Sequence, residues 1–456
     1  MNQISFKSRV RVMAIISFIE SIFLISSILG LITNKMDMCI FSFITYVCFK
    51  VIANIIWRCP KCKAKLPKGK YTHIINKCSY CNYDLVIQAY MKKIRKRILF
   101  VLGILICLVI VYKCFISGHS MLIFGDDSIS EYRTIELGNI KQSVLIRGTD
   151  KSNPVLLYIH GGPGGPETSF IVPYQKEWEE YFTVVNWDQR GSGRSYDAKI
   201  DEETLTTDQI CLDAIELTKY LKKEFQVDKI YLVCHSYGTY VGMKCIQMNP
   251  EDYYAYVGMG QIGNQQENEK NLITYASEMA QKDSNQEALD ELATLGELPY
   301  DKTNFGDKIS LSRKWTTYYG GAIYGKDNTN CFITEAIIRP EYSLVDLIHF
   351  LKGEDLYYSN TEKDQARWEL FNANLLEEVP SVEVPIYFVQ GKNDFITSYE
   401  ACETYFKNVQ APYKELIPIS ECAHNPIVEK KDDVSDILII RVLKFNSTNT
   451  VLQSDT

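Results

Sequence analysis

At 456 residues the chain has room for one large domain and something smaller. Its net charge of −7 hides an asymmetry: residues 1–117 hold 18 Lys/Arg against 3 Asp/Glu, leaving 31 basic and 53 acidic residues in the remainder. That split argues against one uniform globule, and the apolar runs between the basic residues argue for a membrane rather than a nucleic acid as partner.

Three apolar stretches, 13–32, 38–57 and 98–116, are each 19 or 20 residues long. About 20 apolar residues cross the hydrocarbon core of a bilayer as a helix, so three transmembrane helices are expected. The first has too long an apolar run for a cleavable signal peptide and lacks an Ala-x-Ala-like site. Residues 58–97 contain 12 Lys/Arg and a single acid, Asp84. The positive-inside bias places the N-terminus and this loop in the cytoplasm and everything after residue 117 outside, in a multi-pass bacterial membrane protein. Glu20 and Lys50 fall at similar depth and are expected either to pair or to reach separately for the headgroups.

Within that loop, "CPKCKAKLPKGKYTHIINKCSYC" sets Cys59 and Cys62 in one C-x-x-C and Cys78 and Cys81 in another, with 15 residues between the pairs. Four thiolates at this spacing fill a tetrahedral Zn²⁺ shell, and the segment resembles a zinc ribbon. A reducing cytoplasm disfavours disulfides there. The expected zinc is structural. No cofactor is expected for catalysis.

From about residue 128 to 445 strands and helices alternate, before a tail at 446–456. The run 132–148 reads as a hairpin turning at Gly138-Asn139, and 154–160, 181–187, 229–234, 253–259, 384–390 and 413–419 as buried strands. A helix is expected from Thr206 to Phe225, with the Thr206 hydroxyl as cap and Gln209 at the reciprocal position. This alternation predicts a mostly parallel sheet covered by helices, with its functional residues at the carboxyl ends of strands.

Three motifs fall at such ends. "HGGPGG" (160–165) allows backbone N–H groups close to a developing oxyanion. "WDQRGSGRS" (187–195) follows the next strand, and its charges Asp188, Arg190 and Arg194 are expected to brace loops. "CHSYGTY" (234–240) is a near match to the Gly-x-Ser-x-Gly nucleophile elbow, with Cys234 in place of the first glycine. Cys234 would point away from the elbow tip, so Ser236 is the expected nucleophile. Asp394 in "GKND" follows a predicted strand, and His424 in "AHNP" follows the last one. The order Ser236, Asp394, His424 is that of α/β-hydrolases.

These motifs resemble the α/β-hydrolase superfamily, and HGGPG followed by DQRG-x-GRS resembles its proline iminopeptidase-like serine peptidases. The resemblance implies an α/β-hydrolase fold with Ser236 as nucleophile, His424 as general base and acid, Asp394 as its orienter, and the N–H groups of Gly162 and Tyr237 as oxyanion hole. It also implies a helical cap at about 262–380, whose Trp315, Tyr318, Tyr319, Tyr324 and Tyr342 suit a lid over an apolar pocket. Cap carboxylates would hold a substrate's α-amino group, with Glu267, Glu269 and Glu335 as candidates. The elbow departs from that group at Cys234, His235 and Tyr237, where two glycines and a tryptophan are usual. The expected activity is therefore a membrane-anchored serine hydrolase acting on peptides. A carboxylesterase or amidase on small acyl substrates and a non-catalytic receptor are the alternatives. Oligomeric state is not legible.

Overall fold

The computed structural model describes residues 109–358 and 364–444, together with positions 64, 77, 78, 80, 81 and 103. The chain divides into two units, Met1–Tyr112 and Lys113–Thr456. The expected spans 13–32 and 38–57, most of 98–116, and Cys59 and Cys62 lie outside the described residues. Cys78 is buried and Cys81 half-buried. Among the described residues no helix is long and apolar enough to cross a membrane, and no group of His, Cys, Asp or Glu is arranged to hold a metal.

The second unit is built on an eight-stranded sheet: β1 (Ile129–Leu137), β2 (Ile140–Gly148), β3 (Val155–Ile159), β4 (Thr183–Asp188), β5 (Ile230–His235), β6 (Tyr253–Met259), β7 (Ile386–Gly391) and β8 (Lys414–Ile419). Their spatial order is β1-β2-β4-β3-β5-β6-β7-β8. β1–β2 and β2–β4 are antiparallel, and every later pair is parallel. The hairpin turns at Gly138 and Asn139, both with positive φ, as a two-residue turn matching strand twist requires. β3, β4, β5 and β7 are buried at every residue, which is why β3 and most of β5 and β7 run apolar without alternation, while β4 also buries Thr183, Asn186 and Asp188.

Helices cover both faces. α1 (Thr207–Phe225) and α2 (Tyr237–Met248) pack on one core cluster with Ile210, Ala214, Leu217, Val241 and Ile246. The Thr206 hydroxyl caps α1 by accepting from the Gln209 N–H. The reciprocal half of that box is not made. The Gln209 amide instead donates to Asp213 one turn on, drawn by a buried carboxylate that already holds Arg190.

Between β6 and β7 the chain leaves the sheet and forms a helical cap: α3 (Gln265–Lys282), α4 (Gln286–Ala293), α5 (Phe305–Tyr318), α6 (Asn330–Ile338), α7 (Leu344–Tyr358) and α8 (Gln365–Phe371). α9 (Tyr399–Asn408) returns to the sheet. The cap has its own core, in which Ala276, Leu292, Phe305, Trp315 and Phe371 pack together. Trp315 and Tyr319 belong to that cluster, and the Tyr342 hydroxyl is buried on Asp188. None of the five aromatics expected to form a lid lines the cavity over Ser236, whose aromatic wall is Phe332, Tyr358 and Phe371. Sequence gives no direction to an aromatic on a helix that is packed on several sides.

Candidate active site

β5 runs straight into α2, and Ser236 is the residue between them, at φ 51° and ψ −120°. Such a conformation is strained for a residue with a Cβ and persists only where its surroundings enforce it. Here they do. The Ser236 N–H donates to the Met259 carbonyl at 2.9 Å. A Cβ on Gly238 would fall 2.7 Å from the His160 carbonyl oxygen and closer still to that of Ile159, so α2 can approach β3 only with glycine there.

Cys234, where glycine is usual, is fully buried with its sulfur against Gly242 of α2. Burial pushes its thiol well above the ordinary range. A thiolate there is suppressed, and with it any nucleophilic role for this cysteine.

The three expected residues converge. Ser236 Oγ lies 2.9 Å from His424 Nε2, and His424 Nδ1 lies 3.0 Å from Asp394 Oδ2. Asp394 is buried and saturated: Oδ1 accepts the N–H groups of Ile396 and Thr397, and Oδ2 accepts from Gln390 and the Thr397 hydroxyl. That network fixes the carboxylate and leaves one edge for the imidazole. Gly260, at φ +60°, sits against the ring, where a Cβ would be 3.0 Å from both Cε1 and Nδ1 of His424. The cap closes on the same loops: the Ala322 carbonyl accepts from the His424 N–H and the Asn425 amide, and Gly321 accepts from the Phe395 N–H.

Tyr237 is the first residue of α2, so its N–H has no acceptor within the helix. Its side chain points into the core, with the hydroxyl on Thr207. Gly162 (φ +123°) lines the same cavity as Ser236 and His424. The 187–195 motif braces this region. Gln189 donates its N–H to His160 Nε2 and its amide to the His160 carbonyl. Asp188 accepts from Thr168, Tyr342 and the Arg194 N–H. Arg190 makes a buried two-pronged pair with Asp213 at 2.8 and 2.9 Å.

The cavity over Ser236 has a volume of about 410 Å³. Of the three cap carboxylates considered, Glu269 lines it, with its oxygens accepting from Ser312 and Arg313, both at 2.6 Å. Glu267 and Glu335 do not line it. Glu267 is near Thr404, and Glu335 pairs with Arg339. Sequence reasoning missed Glu167, a buried carboxylate on the cavity wall, and gave no role to His235, its partner at 2.6 Å.

A family model described as serine aminopeptidase, S33, matches residues 178–282. The chain is 32% identical over 309 residues to a probable aminopeptidase, YbaC, of Bacillus subtilis, a match covering 66% of this chain and 93% of that one. The chain belongs to the α/β-hydrolase superfamily. Among solved structures, the proline iminopeptidase of Mycobacterium smegmatis superposes with a TM-score of 0.52 at 14% identity, covering 70% of this chain and all of that one. VinJ gives 0.51 at 14% identity over 69% of this chain and 98% of its own. At such identities the likeness is one of fold. As an α/β-hydrolase with an aminopeptidase-like relative, the protein is a hydrolase, and the candidate site described above lies at the carboxyl ends of β3, β5, β7 and β8.

Proposed function

We propose that the protein is a serine hydrolase that removes N-terminal residues from peptides through an acyl-enzyme. The observation that carries this is the unbroken chain Ser236 Oγ, His424, Asp394, with links of 2.9 and 3.0 Å, starting from a strained elbow. Ser236 Oγ attacks the scissile carbonyl while His424 Nε2 takes its proton. The N–H groups of Gly162 and Tyr237 receive the oxyanion. His424 then protonates the departing amine, and a water attacks the acyl-enzyme by the same route in reverse. Asp394 holds Nδ1 protonated so that Nε2 stays available as base.

A second reading is favoured by one contact. Glu269, the cap carboxylate on the cavity wall, is already engaged by Arg313 and Ser312. A substrate without a free amine, such as a small ester or amide, needs no displacement of that pair. Parallel assays with a prolyl-arylamide and a short-chain aryl ester separate the two. Turnover of the ester alone overturns the aminopeptidase reading.

The same proposal sets the hydrolase outside the cell on three membrane spans, with Cys59, Cys62, Cys78 and Cys81 holding a structural zinc inside. Its support is the length of the apolar runs, the charge bias and the cysteine spacing.

A further inference from the structure

Beside Ser236 lies a second set of ionisable groups that the hydrolytic steps do not use. Glu167 follows the glycine-rich loop, and His235 immediately precedes the elbow serine. Both are buried. One Glu167 oxygen lies 2.6 Å from His235 Nδ1 and also accepts the Gly161 N–H at 3.3 Å, while the other accepts the Tyr158 hydroxyl. The second ring nitrogen of His235, Nε2, lies 2.9 Å from the backbone carbonyl oxygen of His424.

Both nitrogens of His235 therefore face acceptors. A neutral imidazole has a single N–H and would set a lone pair against one of the two oxygens. The imidazolium donates to both. The charged and titratable groups around it are Glu167 from the loop after β3, His160 at the end of β3, Asp394 after β7 and His424 after β8, whose ring centroid is 5.0 Å away.

We propose that Glu167 and His235 form a positioning ion pair that ties the glycine-rich loop to the His424 loop and so fixes the general base relative to the oxyanion donors. This rests on the serine-hydrolase reading above. The path is continuous: Gly161, whose neighbour Gly162 supplies the oxyanion N–H, donates to Glu167; Glu167 holds His235; His235 holds the backbone of His424 itself. Burial opposes a charged His235, yet the adjacent Glu167 carboxylate outweighs it and raises the imidazole above its ordinary value of 6.5. Burial likewise opposes a charged Glu167, but His235 holds its carboxyl down at about 2.

The test uses the full chain and Glu167→Gln, which keeps the shape of the side chain and removes the charge that keeps His235 protonated. Imidazole nitrogen resonances should show His235 doubly protonated at neutral pH in the wild type and singly protonated in the variant. With an uncharged aryl ester, kcat should fall about 10- to 100-fold, the range expected when reacting groups drift out of alignment, with KM little changed. The alkaline limb of the kcat profile should move to lower pH in E167Q. A double variant, Glu167→Gln with His235→Gln, should lose that limb's dependence on residue 235 altogether. A singly protonated His235 in the wild type overturns the proposal, as does an E167Q enzyme with wild-type kcat and alkaline limb. Failure of Ser236 to react with a fluorophosphonate in the wild type would instead overturn the hydrolase reading, whatever the state of His235.

Discussion

The sulfur of Cys234 occupies the space that a side chain on Gly242 would need: a Cβ built there would overlap it and lie 2.8 Å from the Tyr256 ring. The elbow thus tolerates a cysteine in place of its first glycine because α2 has a glycine six residues beyond the nucleophile. The missing space at one position is returned at the other.

Gly242→Ala should therefore cost about 1–3 kcal/mol by overpacking, and Cys234→Gly should cost up to about 2 kcal/mol through the cavity it leaves. Combined, they should be less damaging than the sum by at least about 0.5 kcal/mol, the coupling expected of residues in contact. Denaturant unfolding of the two single variants and the double measures it. Strict additivity would mean that the two positions do not share the space.

Gly260→Ala should lower kcat about 100-fold while leaving the fold cooperative. The added methyl meets the His424 ring at 3.0 Å, on a backbone whose φ of +60° already disfavours it. Steady-state kinetics alongside thermal unfolding separates a displaced base from a collapsed domain.

The Glu167–His235 pair predicts a pH dependence of stability with two limbs. Glu167 has its folded pKa depressed to about 2, so its contribution is present above the ordinary carboxyl value of 4.5 and is lost as pH falls toward 2. His235 is raised, so its contribution is complete below 6.5 and is lost as pH rises through the higher folded value. Thermal unfolding should show a plateau between those two ordinary values. E167Q should flatten both limbs, and an unchanged Tm profile in that variant would contradict the assignment.

Zinc content tests the cysteine reading of the N-terminal region. Purified full-length protein should contain about one zinc per chain, as a closed four-thiolate site implies. Cys59→Ser or Cys78→Ser should release it, while Ser236→Ala should not. Metal-free wild type in which Cys59, Cys62, Cys78 and Cys81 are free thiols would contradict it.

The convergence of Ser236, Asp394 and His424 was legible because each has a local signature: serine on a tight turn after β5, aspartate on the turn after β7 and histidine on the loop after β8. The sheet was legible for the same reason, since β3 is apolar throughout and β5 and β7 begin with runs of four or five apolar residues. Glu167 was not, because a carboxylate after a Gly/Pro-rich turn reads as solvated. Only the fold sets it beside His235, 68 residues away. An acid shortly after the glycine-rich loop, together with a histidine directly before the serine, was the available clue. The cap resisted for another reason. Its carboxylates carry no motif, and which of Glu267, Glu269 and Glu335 meets the cavity depends on helix rotation, settled for α3 by packing against α5 and α9. The sole survivor, Glu269, is the one that α5 grips through Ser312 and Arg313.

The central claim is that the Ser236 hydroxyl is activated by His424. Treating the full-length protein with a fluorophosphonate and locating the adduct by peptide mass spectrometry tests it directly. The expected result is a single phosphonylated residue, Ser236, with labelling abolished in Ser236→Ala and slowed at least about 1,000-fold in His424→Ala. A folded wild type that stays unlabelled at Ser236, or labels equally fast without His424, would contradict the account.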